Sequence, residues 1–290
     1  MNLAQYDFAI IGGDMRQIYM ANRLTLLGKS VVCYGINDPL LDPSCSRAKT
    51  LADAIYSSSN IITPIPVTKD GNNIIAMKPE PDLTISQLCP LLTKDHKLFG
   101  GCITKEMIQY CETNDIYYHD FMEQEEVTLF NTIATAEGTI AEAILGSTTN
   151  LHGSSCLILG FGRCARTLAE KLTGLCAHID IAARSSVALS SAYAASFGTI
   201  SLKELDTNLK NYDYIFNTIP SLVLSKELLE LTNPNVLIID IASAPGGVDF
   251  VAAKQLGRNA KLCLGLPGKY APRSSAVFLV DHLLYNIGKK

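Results

Sequence analysis

The stretch Cys156-Leu-Ile-Leu159, followed at once by Gly160-Phe-Gly162-Arg-Cys-Ala165, decides how the chain folds. An unbroken apolar run suits a parallel strand buried on both faces. The glycines that follow have the spacing G-x-G-x-x-A. Gly160 permits a tight turn, Gly162 lets the backbone approach a pyrophosphate, and Ala165 lets the next helix lie close to the strand. Ala165, Leu168, Ala169 and Leu172 share one helical face, and the helix's unpaired N–H groups, with its positive dipole end, would receive the pyrophosphate. Strand, turn and helix together imply a Rossmann βαβ unit that binds a dinucleotide. The plainer alternative is a glycine turn that only joins strand to helix.

The end of the next strand bears on which dinucleotide. An NAD site usually carries Asp or Glu about 20 residues after the glycines, bonded to the ribose 2′-hydroxyl. Ile181-Ala-Ala183-Arg184-Ser185 has no acid there. An Arg–Ser pair can take a 2′-phosphate through charge-assisted bonds, so NADP is expected and NAD is the second choice. Arg184 as a merely solvated strand end is the competing reading. Phe161 and Arg163 join the glycines, and Ala183 joins Arg184 and Ser185, in the expected cofactor site. Asn217-Thr218-Ile219-Pro220 ends a further strand where the nicotinamide ribose lies in such folds; the alternative is an ordinary turn. Asp240 and Ser243 end the strand after that and complete the expected cofactor contacts. Gly246 and Gly247 allow close backbone approach, and Asp249 is either a base or a helix N-cap.

Working outward, the same rhythm recurs in the first half. Phe8-Ala-Ile-Ile11 and Gly12-Gly13 precede a helix reaching Leu27, closed by Gly28. A strand over Ser30–Tyr34 follows, then Ile61-Ile62 running into Thr63-Pro64-Ile65-Pro66, where proline takes the chain out of the sheet. Lys69–Asn73 reads as a loop or hairpin tip, Thr84-Ile-Ser-Gln87 as a capping box opening a short helix to about Leu92, and Thr104–Glu112 as a helix between strands at Leu98–Phe99 and Ile116–Tyr118. Gly12-Gly13-Asp14 is not a second fingerprint, because Asp14 would put a carboxylate where a phosphate should sit; Asp14 is expected to cap the helix. Arg16 either holds a substrate carboxylate or is a surface arginine. Thr135-Ala-Glu-Gly138 opens a helix to about Leu145, and Gly146–Ser155 is polar. Beyond Cys156, strands are expected near Ile179–Ala182, Tyr214–Asn217, Val236–Asp240 and Lys261–Leu264. Val277, Val280, Leu284 and Ile287 give the tail a helical period, expected to return to the first domain.

This alternation argues an α/β protein with two doubly wound parallel-sheet domains, the C-terminal one an NAD(P)-binding Rossmann domain. The expected division is a flavodoxin- or Rossmann-like substrate domain over 1–134, joined by a C-terminal helix over 272–290. An interdomain helix and hinge spans 135–150, and the NADP-binding domain spans 151–271. A chain of 290 residues with 48% apolar and 18% charged residues has ample material for two cores. Its net charge of −4 gives no reason to expect nucleic acid or an anionic membrane as partner. The nine cysteines are scattered without a C-x-x-C pair, which reads as reduced cytosolic thiols rather than disulfides or a metal site. No apolar stretch reaches the roughly 18 residues of a membrane span, so the cytoplasm is expected. Of the five histidines, only His152, near the hinge, is a proton-acceptor candidate.

Ile11-Gly-Gly-Asp-Met-Arg-Gln17, Asn131 with Thr135-Ala-Glu-Gly138, Leu159-Gly-Phe-Gly-Arg163 and Ala182-Ala-Arg-Ser185 together resemble the dipicolinate synthase A-subunit family of spore formers. The resemblance continues through Asn217-Thr-Ile-Pro220, Asp240-Ile-Ala-Ser243, Pro245-Gly-Gly-Val-Asp-Phe250 and Gly265-Leu-Pro-Gly268 with Ala271-Pro272, and so covers nearly the whole chain. Ala134 departs from it where a proline would be expected. The resemblance implies NADP-linked oxidation of a dihydrodipicolinate-type ring, formed from 4-hydroxy-tetrahydrodipicolinate on a branch from lysine biosynthesis, to dipicolinate during sporulation. It also implies a flavoprotein-like B-subunit of the same synthase as partner and the mother-cell cytoplasm as location; a homo-oligomer is expected. Glu137, Asp249 and Lys269 are the candidate catalytic residues. Gly13, Arg16, Pro66, Thr135, Gly247 and Arg273 are the candidate contacts of a dicarboxylate substrate. Glu137 is alternatively an early-turn acid favoured by the helix dipole, and Lys269 and Arg273 are alternatively solvated charges. The competing functions are a dehydrogenase of another small acid, which normally needs a His–acid or Lys–His pair not found here, and a non-catalytic regulatory protein that senses NADP.

Overall fold

Phe8–Ile11, apolar and buried throughout, forms strand β1, and Met15–Leu26 after it forms helix α1. The start of α1 is set by a reciprocal pair: Asp14 accepts from the Arg16 N–H, and the Gln17 side chain accepts from the Asp14 N–H. The chain continues through β2 (Val31–Tyr34), β3 (Ser46–Arg47), α2 (Leu51–Tyr56), β4 (Asn60–Ile62), α3 (Ile85–Leu88), β5 (Lys97–Gly100), α4 (Lys105–Thr113), β6 (Tyr117–Asp120) and α5 (Glu125–Gly146). The second half holds β7 (Ser155–Leu159), α6 (Arg163–Gly174), β8 (His178–Ala183), α7 (Ser186–Ala194), β9 (Gly198–Ser201), β10 (Tyr214–Asn217), α8 (Lys226–Glu230), β11 (Leu237–Asp240), α9 (Phe250–Gln255), β12 (Asn259–Leu262), α10 (Leu266–Tyr270) and α11 (Pro272–Gly288). This structure, a computed structural model, describes residues 5–288. The chain divides into two compact units, Met1–Phe130 with Pro272–Lys290, and Asn131–Ala271.

Each unit is one six-stranded parallel sheet. The orders are β3-β2-β1-β4-β5-β6 and β12-β11-β10-β7-β8-β9. In both, the first strand of the unit lies between the second and the fourth, so the chain winds outward in both directions from a switch point at β1/β4 and at β7/β10. The expected fold class is what the structure has.

Two-sided burial explains why β1 is apolar throughout and β7 is apolar from Cys156 onward. In β1, Phe8 and Ile10 pack with α1 and α11, while Ala9 and Ile11 pack with Leu51, Ala54 and Ile55 of α2 and Met107 of α4. In β7, Cys156 and Ile158 face Leu168 and Leu172 of α6, while Leu157 and Leu159 face Leu205, Leu229 and Ala252. The tail does form a helix of the first unit: α11 buries Ala276, Leu279, Val280 and Leu283 in the core that holds α1, and Arg23 of α1 pairs with Asp281 at 2.9 Å.

Two local expectations are corrected, and two edge strands are added. The helix expected to open at Thr135 already runs from Glu125, whose neighbour Glu126 also favours the first turn. Gly138 is therefore not a start signal but a packing gap: a Cβ there would come within 2.8 Å of Tyr270 and 3.1 Å of Leu266. Strands β3 and β9 leave no mark in the sequence, because edge strands of two and four residues, half-exposed and polar, carry no apolar run. Strand β12 begins two residues before Lys261, in register with β11 from Leu237↔Asn259, because backbone pairing rather than the later leucines sets an edge strand's limits.

His282 of α11 is buried among groups from three elements: His119 of β6, whose Nε2 is 3.2 Å from its own Nε2, Glu126 of α5 at 3.4 Å, and Asn286 of α11 at 2.9 Å. Burial lowers its pKa below the usual 6.5, with Glu126 acting in the opposite sense. A depressed histidine contributes stability that is complete above the unfolded value and lost as pH falls through the folded one. Between about pH 7.5 and about pH 5.5 the thermal midpoint of the wild type should therefore fall further than that of His282→Asn. Parallel melting curves across that range would disprove the assignment.

Candidate functional site

The carboxyl edges of the two sheets are built alike and finished differently. In the first unit, the turn between β1 and α1 is closed by the chain itself. The Gly13 N–H donates to the Ile75 carbonyl at 2.6 Å, Gly13 bridges to Ala76, and a Cβ on Gly12 would lie 2.5 Å from that same carbonyl. The Gln17 side chain fills the place a Cβ of Gly13 would take, and Asp14 caps α1 as expected. The amides of Gly12, Gly13, Asp14 and Arg16 all have partners within the chain, so they are not free to bind a pyrophosphate.

In the second unit, the matching turn is open. Gly160 takes φ +94°, and a Cβ there would lie 2.5 Å from the Thr218 hydroxyl and 3.1 Å from Ile219, so β7 can turn under the loop after β10 only with glycine. Gly162 is the N-cap of the 12-residue helix α6, no side chain among the described residues caps that helix, and a Cβ on Gly162 would meet nothing within 4 Å. An uncapped helix N-terminus facing open space is suited to an anion. Ala165 is fully buried against the strand, as the fingerprint requires. Phe161 packs into the core, with the Arg166 guanidinium 4.8 Å from its ring centroid, so Phe161 would offer a ligand its backbone only. Arg163 is exposed at the first position of α6.

At the end of β8, Ala183 is buried, and Arg184 and Ser185 are exposed. The Ser185 oxygen accepts from the Ala188 N–H and caps α7, which leaves its own hydroxyl hydrogen free to donate. After β10, the Thr218 hydroxyl donates to the Leu159 carbonyl at 2.8 Å, Ile219 is half-buried and Pro220 is exposed. Asn217 and Asp240 do not line a surface: both are fully buried, bonded to each other at 2.8 Å. Their expected contact with a cofactor is corrected to a place beneath the site. Ser243 is exposed, and its carbonyl accepts from the Gly246 N–H.

The three candidate catalytic residues are each engaged by a different partner. Glu137, thirteenth in α5 rather than in its first turn, pairs with Lys171 of α6 at 2.9 Å. Asp249 is the N-cap of α9 and accepts from the Ala252 N–H at 2.9 Å. Lys269 bonds Glu142 of α5, which holds its pKa above the usual lysine value, while that same bond holds the Glu142 carboxyl below its own. At neutral pH Lys269 is thus a cation, not a base. His152 precedes β7 and so lies at the opposite edge of the sheet from Gly160.

Among the candidate substrate contacts, Arg16 is the most constrained. It is 8% exposed, its Nε donates to both oxygens of Asp14, and its Nη2 donates to Asp14 and to the Ile65 carbonyl. Burial raises the Asp14 pKa, but the Arg16 bonds outweigh that and hold it low. Nη1 has no partner among the described residues, so a fixed guanidinium presents one edge to an incoming anion. Pro66 follows the Ile65 carbonyl that fixes Arg16. Thr135 turns its hydroxyl back onto the Asn131 carbonyl within α5. Gly247 donates to Asp240, and Arg273 sits with Tyr19, Asn22, Arg23 and Leu26 beside α1. The covering of Gly12 and Gly13 by Ile75 had no signal in the sequence beyond the acid at position 14.

The two glycine positions of the open turn separate by stability. Gly160→Ala should cost about 2–4 kcal/mol in urea unfolding, from the positive φ and the contact with Thr218. Gly162→Ala should cost about 1 kcal/mol or less. Equal losses would refute the geometry.

A sequence profile of the N-terminal domain of the dipicolinate synthase A-subunit matches residues 7–122. The chain is 30% identical to the dipicolinate synthase A-subunit of Bacillus subtilis (strain 168) over 284 residues, 97% of this chain and 95% of that one. The crystal structure of the dipicolinate synthase A-subunit from Bacillus halodurans superposes with a TM-score of 0.85 at 26% identity, over 98% of both chains. A transhydrogenase from Sinorhizobium meliloti shares the fold at 13% identity and a TM-score of 0.65, over 96% of this chain and 92% of that one.

Proposed function

The chain belongs to the dipicolinate synthase A-subunit family, and on that premise we propose that it is the NADP-linked oxidoreductase component of a dipicolinate synthase. Its substrate in this reading is a dihydrodipicolinate-type ring, derived from 4-hydroxy-tetrahydrodipicolinate and oxidised to dipicolinate during sporulation. A flavoprotein-like B-subunit is its partner, and the mother-cell cytoplasm its place. The observation that carries the reading is the contrast between two similarly placed turns, one closed by Ile75 and capped by Asp14, the other open and uncapped at Gly162.

When bound, a nicotinamide supplies a two-electron hydride acceptor. The chain's own residues do the rest. The amides opening α6 hold the pyrophosphate, and Arg184 with the Ser185 hydroxyl holds the ribose 2′-phosphate. Thr218 and the backbone of Ile219 and Pro220 border the nicotinamide half. Arg16, locked by Asp14, directs Nη1 at one substrate carboxylate, a role that needs its planar guanidinium rather than a bare positive charge. Lys269, kept protonated by Glu142, can hold a carboxylate but cannot take the ring proton. The exposed Arg184, where an NAD site would carry an acid, is what favours the phosphorylated cofactor.

Calorimetric titration tests this directly. Arg184→Ala should weaken NADP about tenfold or more while changing NAD by no more than about twofold. Gly162→Ala, which should still fold, should weaken both. Unchanged NADP affinity in Arg184→Ala would remove the cofactor assignment.

A further inference from the structure

Resting on that cofactor reading, we propose that Asn217 and Asp240 form a buried latch that positions the two loops serving the nicotinamide half of the dinucleotide. The two residues close the neighbouring strands β10 and β11 in direct register, and both are completely buried. The Asn217 Nδ2 donates to Asp240 Oδ1 at 2.8 Å and to the Ile219 carbonyl at 3.0 Å, while its Oδ1 accepts from the Ile219 N–H at 3.1 Å. Asp240 also accepts from the Ala242 N–H at 3.0 Å and from the Gly247 N–H at 2.6 Å. Two side chains thus tie the loop after β10 to the loop after β11.

The glycines of the second loop fit this use. A Cβ on Gly246 would lie 2.5 Å from Asp240, and one on Gly247 would lie 2.5 Å from the Asn217 amide and 2.6 Å from the Ile219 carbonyl. The Gly247 carbonyl in turn accepts from the Val223 and Leu224 N–H groups. At Gly247 the two loops therefore meet backbone to backbone, and the Asn217 and Asp240 side chains are what ties them.

The chemistry of the pair points beyond simple turn closure. A fully buried carboxylate is costly unless its hydrogen bonds are complete, and no cation bonds Asp240 among the described residues. A neutral pair could close two turns at less cost. Asp240 instead gathers three N–H donors on one carboxyl group, and bonds to a carboxylate are shorter and stronger than those to a neutral acceptor, which stiffens both turns. Stiffness matters where a reacting ring must be held to a fraction of an ångström.

Position also predicts which half of the cofactor feels the latch. The fingerprint turn and Arg184 belong to β7 and β8, and the latched loops belong to β10 and β11, across the switch point. Loosening the latch should spare the adenosine half.

The experiment is calorimetric titration of the full chain with 2′,5′-ADP and with NADP, for wild type and Asp240→Asn. Asparagine keeps the shape but turns one acceptor into a donor facing an N–H. Expected are 2′,5′-ADP affinities within about twofold of each other and an NADP affinity about tenfold weaker in the variant. If Asp240→Asn does not fold, Asn217→Ala carries the same comparison. Equal loss of both ligands, or loss of neither, overturns the latch while leaving the cofactor reading intact. A wild type that binds neither ligand overturns both.

Discussion

An α-helix leaves its first N–H groups without partners inside itself, and everything distinctive about this protein follows from how two such ends are treated. Asp14 and Gln17 satisfy the start of α1, and the Ile75 carbonyl takes the Gly13 N–H beside it. No side chain among the described residues caps the start of α6. Two sheets of the same winding thus present two different turns, one closed by the chain itself and one left uncapped.

The constraint works through glycine. Gly160 can turn beneath Thr218 only because it lacks a Cβ, and Gly246 and Gly247 allow the loops after β10 and β11 to meet. Each close approach trades side-chain bulk for backbone precision, and each occurs at a carboxyl edge, where doubly wound sheets bind their ligands. The first unit uses its polar groups otherwise. Asp14 is consumed in capping α1 and in fixing Arg16, so the same carboxylate that bars a phosphate from the turn also orients a guanidinium.

How legible all this was varied with burial. Strands β1 and β7 are legible directly, because a central parallel strand is covered on both faces and its buried positions, Phe8–Ile11 and Cys156–Leu159, are all apolar. Edge strands β3 and β9 were invisible for the opposite reason. The fingerprint at Gly160 and the cap at Asp14 are local rules that need only neighbours in sequence. Glu137, Asp249 and Lys269 looked alike on paper as acids and a base near strand and helix ends. The N-cap place of Asp249 was one of its two readings from the sequence, whereas the Lys171 and Glu142 partners of Glu137 and Lys269 cannot be found from spacing.

By itself the sequence determined the winding of two parallel sheets, the placing of the glycine turn and the absence of an acid where a 2′-hydroxyl would bind. These depend on periodicity, steric freedom and charge within a few residues. Only the tertiary structure decided that Ile75 closes the first turn, that α5 begins ten residues before Thr135, and that Asn217 and Asp240 are fully buried and bonded to each other rather than exposed. Those outcomes depend on which distant backbone atoms come within hydrogen-bond reach, and a polar residue's partner is a property of the folded chain.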